Sequence, residues 1–373
     1  MAAGEAVMAI ALADSLFLSI SPGAARNKVL LFLVVSMAPF AIVSPLIGPA
    51  VDRMKGGRRL MICFASAGRA IVTALMIRNV DSLTLFPLAF AALVLSKSYA
   101  VSKSALVPMV VRDDKEFVEA NSKLGLIAGL SGFLVALPAG ILQFISAEIT
   151  LFFSTLVFVA AFFAALKLPK GGVVADRPPA PAERQSLRSQ NVVGAANAMG
   201  LLRSSAGFLF FHLAFWLRGE TAGVFWFGVA VAASSLGTMA ANALGPMVRR
   251  RAQEETMLIL AAVLLVGSGL VAALGGGTLW AIVLAASVNF ASSTGRLAFE
   301  AVIQRDAPEA NRARIFAQFE TRFQLQWVLA GLIPVIIPIG GKLGFLIIAA
   351  MGFVAVLQLK SRHPDWPRTR FRR

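Results

Sequence analysis

Apolar positions in this chain fall in long unbroken runs and not in the every-second-residue alternation of a half-buried strand. The runs occupy residues 2–22, 29–51, 60–77, 83–108, 124–145, 149–168, 199–217, 222–247, 256–274, 278–298, 315–339 and 343–359. Each is close to the ~20 residues that a helix needs to cross a bilayer core. In lipid every backbone polar group must find its partner inside the protein, so runs of this length predict helices. A membrane barrel would alternate over about ten residues at a time, and no segment does. The pattern predicts an all-α polytopic membrane protein with twelve transmembrane helices.

Composition agrees and adds an orientation. Hydrophobic residues make up 58% of the chain and charged residues 14%, against about 25% charged in soluble domains. With both termini in the cytoplasm, the outer loops contain only five of the 35 Lys and Arg: Arg26, Lys28, Arg78, Arg218 and Lys342. The positive-inside rule therefore sets that topology, and a bacterial cytoplasmic membrane is the expected setting. A formal net charge of +16 spread over loops at one membrane face points to anionic headgroups, not to nucleic acid. The closing stretch "RHPDWPRTRFRR" is a basic tail of the same kind. Residues 1–22 have no basic leader and contain Glu5 and Asp14, against a cleaved signal peptide. That first run only just suffices to cross, which leaves room for a natural start upstream of Met1. The single cysteine, Cys63, excludes an internal disulfide framework.

The two halves echo one another. "GPAVDR" at 48–53 closes the second run and "GPMVRR" at 245–250 closes the eighth; Arg112-Asp113 follows the fourth and Arg305-Asp306 the tenth. Lys103 and Arg296 share the latter offset. Between the halves lies the Pro-rich charged stretch 169–191, a linker by composition. The expected organisation is a six-helix bundle over 1–168, a cytoplasmic linker over 169–191, a second six-helix bundle over 192–359 and a tail over 360–373.

Between the second and third runs stand Gly48, Asp52, Arg53, Gly57, Arg58 and Arg59. This loop resembles the signature loop of the major facilitator superfamily, with about two extra residues between Arg53 and Arg58. The stretches Ser104–Pro108 and Glu119–Ser122 are similar to those of bacterial exporters of siderophores and macrolides. The resemblance implies two pseudo-symmetric six-helix bundles, a central cavity lined by spans one, four, seven and ten, and a monomeric transporter. It also implies that Asp52 sits at the cytoplasmic face near the start of span eleven, as part of a gate. The plainer reading is that the loop's charges only determine topology.

Charges inside spans are expensive and usually face a cavity or a partner. The candidates are Glu5, Asp14, Arg69, Lys97, Lys103, His212, Arg296 and Glu300, with Tyr99, Asn289 and the Gln324/Gln326/Trp327 group as uncharged company. Counting about 1.5 Å of rise per residue from the loop ends matches Asp14 in depth with Arg69, and Glu5 with Lys97. Asp14 could titrate during transport or be a static partner of Arg69, and Arg69 itself reads more readily as structural. Lys97, beside Ser96, Ser98 and Tyr99, reads as a cavity residue. Lys103 and Arg296 are placed to snorkel, and Arg296 with Glu300 can pair along one helix face. His212 could relay protons, but among Phe210, Phe211 and Phe215 it reads better as a wall residue.

No phosphate-binding G-x-x-x-x-G-K-[ST] loop, H-E-x-x-H or G-x-S-x-G occurs in the chain, so neither ATP hydrolysis nor intramembrane hydrolysis has a motif to support it. No cofactor or metal is expected. The reading is a secondary active transporter, proton-coupled, exporting a small amphipathic or hydrophobic molecule, with protons, the substrate and membrane lipids as its partners. Lysolipid flipping and a transport-inactive scaffold or sensor are the alternatives.

Overall fold

The computed structural model describes residues 1–13, 57–80, 82, 84–111, 116–168, 190–219, 222–306 and 312–362. Eleven α-helices account for nearly all of them: α1 Ala2–Ala13, α2 Gly57–Ile77, α3 Leu85–Val110, α4 Phe117–Ile145, α5 Ala147–Ala165, α6 Gln190–Trp216, α7 Gly223–Arg251, α8 Glu254–Gly275, α9 Gly277–Asp306, α10 Arg312–Ile336 and α11 Gly341–Arg362. No strand occurs among the described residues, and nine of the helices are long and apolar enough to cross a membrane. The second predicted run and residues 14–22 of the first lie outside the described residues, as do most of the linker and the tail beyond Arg362.

Several helices overrun the apolar runs that announced them. α4 begins at Phe117, seven residues early; α6 begins at Gln190, inside the predicted linker; and α9 continues to Asp306, eight residues late. Hydropathy marks where lipid begins, whereas helical hydrogen bonding continues into polar sequence until a cap or turn stops it. Ser146 supplies such a cap for α5, its hydroxyl accepting from the Ile149 N–H at 3.2 Å. Between α8 and α9 the chain turns through Gly276 and Gly277 at φ +64° and +75°, the left-handed region that a side chain resists.

Contacts sort the chain into two compact units. The first comprises Met1–Val110, Leu126–Pro178 and Pro308–Thr321, and the second Val111–Gly125, Pro179–Ala307 and Arg322–Arg373. In the first unit α2 packs on α3 and α5, and α1 on α5. One of its cores gathers Leu12, Met76, Leu85, Ala92 and Leu151; another gathers Ile62, Cys63, Leu106 and Ala165. In the second unit α9 packs on α6, α7 and α8, while α11 packs on α6 and α8.

Helix association in lipid depends on shape more than on a hydrophobic drive. The α8–α11 seam shows the consequence. Gly269 lies against the backbone of α11 at Phe345 and Ala349, and Gly352 lies in turn against Ala262, Leu265 and Val266 of α8. Hydroxyls inside the helices mostly donate to the carbonyl four residues back. Ser66 to Ile62, Thr73 to Arg69, Ser98 to Val94, Ser205 to Leu201 and Ser268 to Leu264 all do so at 2.7–2.9 Å.

Candidate functional site

In the first unit the intramembrane charges converge. Side-chain contacts set the register of α1 against α2: the Ser66 hydroxyl donates to Met1 Sδ at 3.3 Å, Glu5 meets Arg69, and Leu12 shares a core with Met76. Arg69 Nη1 donates to Glu5 Oε1, and the Ser96 hydroxyl of α3 donates to that same oxygen at 2.7 Å. The Arg69 guanidinium also lies over the Phe158 ring, 4.4 Å from its centroid. The Ser154 hydroxyl of α5 holds the Gly4 carbonyl at 2.9 Å. The Arg69 side chain is 1% exposed and that of Glu5 39% exposed.

The described partner of Arg69 is therefore Glu5; Asp14 lies outside the described residues. Depth counted from loop ends places every helix on a common starting plane, and α1 and α2 do not share one. Glu5 opposite Arg69 puts the fifth residue of the chain about 18 Å along α2 from Gly57. Lys97 is near enough for its charge to act on Glu5, but the bonded partners are Arg69 and Ser96. Tyr99 packs against the Ile62, Cys63 and Leu106 core.

His212 of α6 is 1% exposed and closely walled. Its ring stacks between Phe208 and Trp216, with centroids at 5.6 and 6.2 Å, and meets Phe345 edge-on at 5.9 Å. A hydrogen bond links it to the Gly341 backbone, and no described group reaches Nε2. These are the contacts of a wall residue. His212→Gln is accordingly expected to lower the melting temperature while leaving the pH profile of transport in place. A shifted profile in reconstituted vesicles would return His212 to the mechanism.

The second unit also contains a cavity of about 270 Å³ lined by α6, α7, α9 and α10. Asn289 lies on its wall, its amide donating to the Ala285 carbonyl at 3.0 Å. So do Arg203, Ser234, Ser235 and Thr238, none of which stood out among the sequence candidates. Arg203 did carry a signal, as a single cation in the middle of an apolar run. The serines and the threonine carried none, because such residues are common in membrane helices.

At the turn between α7 and α8, Arg249 pairs with Glu254 at 2.8 Å, and Arg305 of α9 reaches Glu254 at 3.4 Å and Glu255 at 3.3 Å. The second copy of the loop motif and the repeated Arg-Asp pair thus meet in one ion-pair network. Three arginines end α7 and two glutamates begin α8, each sign at the helix end whose dipole favours it. Arg296 and Glu300 pair on α9 at 2.8 Å, as their spacing predicts. Of the first loop motif, Gly57, Arg58 and Arg59 open α2, with Arg59 donating to the Leu166 carbonyl at 2.5 Å. Gly48, Asp52 and Arg53 lie outside the described residues.

The sequence profile of the Major Facilitator Superfamily matches residues 2–331. This chain belongs to that superfamily. Among solved structures, a bacterial homologue of the iron transporter ferroportin in an outward-facing state superposes with a TM-score of 0.71 at 16% identity, over 98% of this chain and 96% of the other. The human organic anion transporter MFSD10 gives 0.67 at 15%, over 95% and 89%, and the transporter FucP in an outward conformation gives 0.65 at 12%, over 97% of each. Among curated proteins, an uncharacterized protein of Mycobacterium leprae is 27% identical over 95% of this chain and 68% of its own length. One of Mycobacterium tuberculosis is 29% identical over 95% and 70%. The superfamily chain is an integral membrane protein with a transporter fold, and that fold points to small-molecule transport rather than to an enzyme.

Proposed function

We propose that this chain is a secondary active exporter, proton-coupled, which moves a small amphipathic or hydrophobic molecule by alternating access. The observation that carries the reading is the cavity of the second unit, with polar side chains at mid-helix beside aromatic walls, the mixture expected of a small-molecule site. An open cavity also favours transport over an inactive scaffold. The mycobacterial relatives support a bacterial cytoplasmic membrane, and the charge asymmetry of the loops supports cytoplasmic termini. Gly48, Asp52 and Arg53, with Gly57, Arg58 and Arg59, serve as a cytoplasmic gate that closes in one state and releases in the other.

Proton coupling needs a carboxyl that is free to change partners. Glu5 is held by Arg69 and Ser96, so it serves the scaffold, and Asp14 in the same span is the coupling residue. The test is gradient-driven uptake into inverted vesicles with a substrate panel, with and without an uncoupler. Asp14→Asn is expected to reduce driven uptake at least tenfold while substrate binding persists. Normal driven uptake in that variant would remove Asp14 from the mechanism, and uptake indifferent to the uncoupler would remove the proton.

A further inference from the structure

We infer that the cavity of the second unit takes a flat aromatic ring system bearing a hydrogen-bond donor, the ring lying among Phe210, Phe227 and Trp327 and the donor reaching the corner formed by Ser234 and Asn289. The inference rests on the reading above that this cavity is the substrate site, and it names the substrate's shape and its polar group.

The walls of the cavity are held by close seams. On one side α6 lies against α10, where a Cβ at Gly207 would run into the Trp327 carbonyl and one at Gly331 would stand 2.7 Å from the Phe211 ring. On the other side α7 lies against α9, where a Cβ at Gly237 would strike the Ala286 carbonyl. Gly207 and Gly237 each face a backbone oxygen, so neither seam yields to a side-chain rotation. Trp327 in the first seam and Ala285 beside the second both line the cavity. A cavity framed in this way has its shape before a ligand arrives, as small-molecule sites usually do.

Three rings frame one end. Phe210 meets Phe227 at 5.5 Å and 67° and Trp327 at 6.3 Å and 40°, and it remains 42% exposed. An aromatic guest can set an edge against one of these rings and a face against another, the offset and edge-to-face arrangements that aromatic pairs prefer. A saturated ring of the same size has neither the negative face nor the positive edge, and it gains only by the area it buries.

The polar corner lies about 10 Å along α7 from Phe227, at Ser234. There two side chains converge on one carbonyl. The Asn289 amide donates to Ala285 at 3.0 Å, and the Ser234 hydroxyl comes within 3.5 Å of the same oxygen while donating to Ala230 at 2.9 Å. Ser235 likewise donates to Val231 at 3.1 Å. With their protons so engaged, these hydroxyls offer the cavity lone pairs, and Asn289 adds its amide oxygen. Such a corner is completed by a guest that donates, through a hydroxyl or an N–H set apart from its aromatic end. Arg203 lines this cavity as well and interacts within the protein; an uncharged donor makes no demand on it.

The experiment uses the full chain in phosphatidylcholine nanodiscs with three uncharged probes: 2-naphthaleneethanol, its decahydro counterpart and 2-ethylnaphthalene. Binding is read by equilibrium dialysis, and each affinity is divided by the probe's partition into empty discs, which removes bare apolarity. On that scale the naphthalene alcohol is expected to bind at least fivefold more tightly than the saturated alcohol. A ratio below fivefold in the unmodified protein would overturn the inference even if no variant folds. Phe227→Leu should at least halve that ratio. Asn289→Leu should weaken the naphthalene alcohol at least threefold and leave 2-ethylnaphthalene within twofold. An unchanged ratio in a folded Phe227→Leu protein would also overturn the inference, as would unchanged alcohol affinity, or an equal loss of both naphthalenes, in a folded Asn289→Leu protein. None of these results bears on driven uptake in vesicles, which tests the transporter reading separately.

Discussion

Glu5→Gln is expected to destabilise the folded protein by about 3–5 kcal/mol, the range for breaking one side of a buried ion pair. Arg69 is enclosed by α1, α3 and α5, with its guanidinium on the Phe158 ring and its bond to Glu5. Losing the carboxylate strands a charge that cannot leave, because a guanidinium does not deprotonate in proteins. Arg69→Met should cost less, since an orphaned carboxyl can neutralise itself by taking up a proton and Lys97 stands near Glu5. The double variant Glu5→Gln/Arg69→Met should recover much of the loss, as neutral replacements of buried pairs do. Cys63, the only thiol and buried on the same helix as Arg69, makes the measurement simple. A thiol-reactive dye reports when α2 opens during a thermal ramp. A melting curve for Glu5→Gln that overlays the unmodified protein's would show that the pair contributes nothing to stability.

Gly269→Val should be among the damaging substitutions in the second unit, costing about 3 kcal/mol or more, the upper end for overpacking. A Cβ at position 269 would stand 2.7 Å from the Ala349 nitrogen and 2.9 Å from the Phe345 oxygen. Both are backbone atoms of α11, so relief requires moving a helix and not a side chain. Gly140→Ala is the matched control, because a Cβ there meets no described atom within 4 Å. Helix propensity alone then predicts neutrality or a gain of up to about 1 kcal/mol. Detergent melting of the two variants beside the unmodified chain decides the matter, and equal melting temperatures would refute the seam.

The helical class was legible because lipid leaves the backbone so few options, and the spacing of Arg296 and Glu300 announced their pair. Glu5 and Arg69 were visible as charges, but their partnership was not. Pairing depends on how far one helix is displaced along another, and the loops that set the displacement carry no code for it. The polar end of the cavity was hidden for a different reason. Ser234, Ser235 and Thr238 gain meaning only from α6 and α9 across from them, whereas the periodicity of a single helix shows only its own faces. His212 invited a chemical role by residue type, and only the structure shows the rings stacked on either side of it.

The hydroxyls that donate only to their own helix, such as Ser98 on α3 and Ser268 on α8, bear on how the chain enters the bilayer in the first place. A serine bonded to the carbonyl four residues back has already replaced the water it would lose, so it presents to hydrocarbon little more than a methylene group. Transfer scales for isolated side chains charge such residues for an unsatisfied polar atom, and a helix whose serines are bonded in this way therefore partitions more readily than its composition implies. The same internal bonding leaves these side chains with little to offer a neighbouring helix. Exchanging one for alanine should alter neither the ease of insertion nor the fit of the bundle, and the hydroxyls that do respond to exchange will be those facing the cavity.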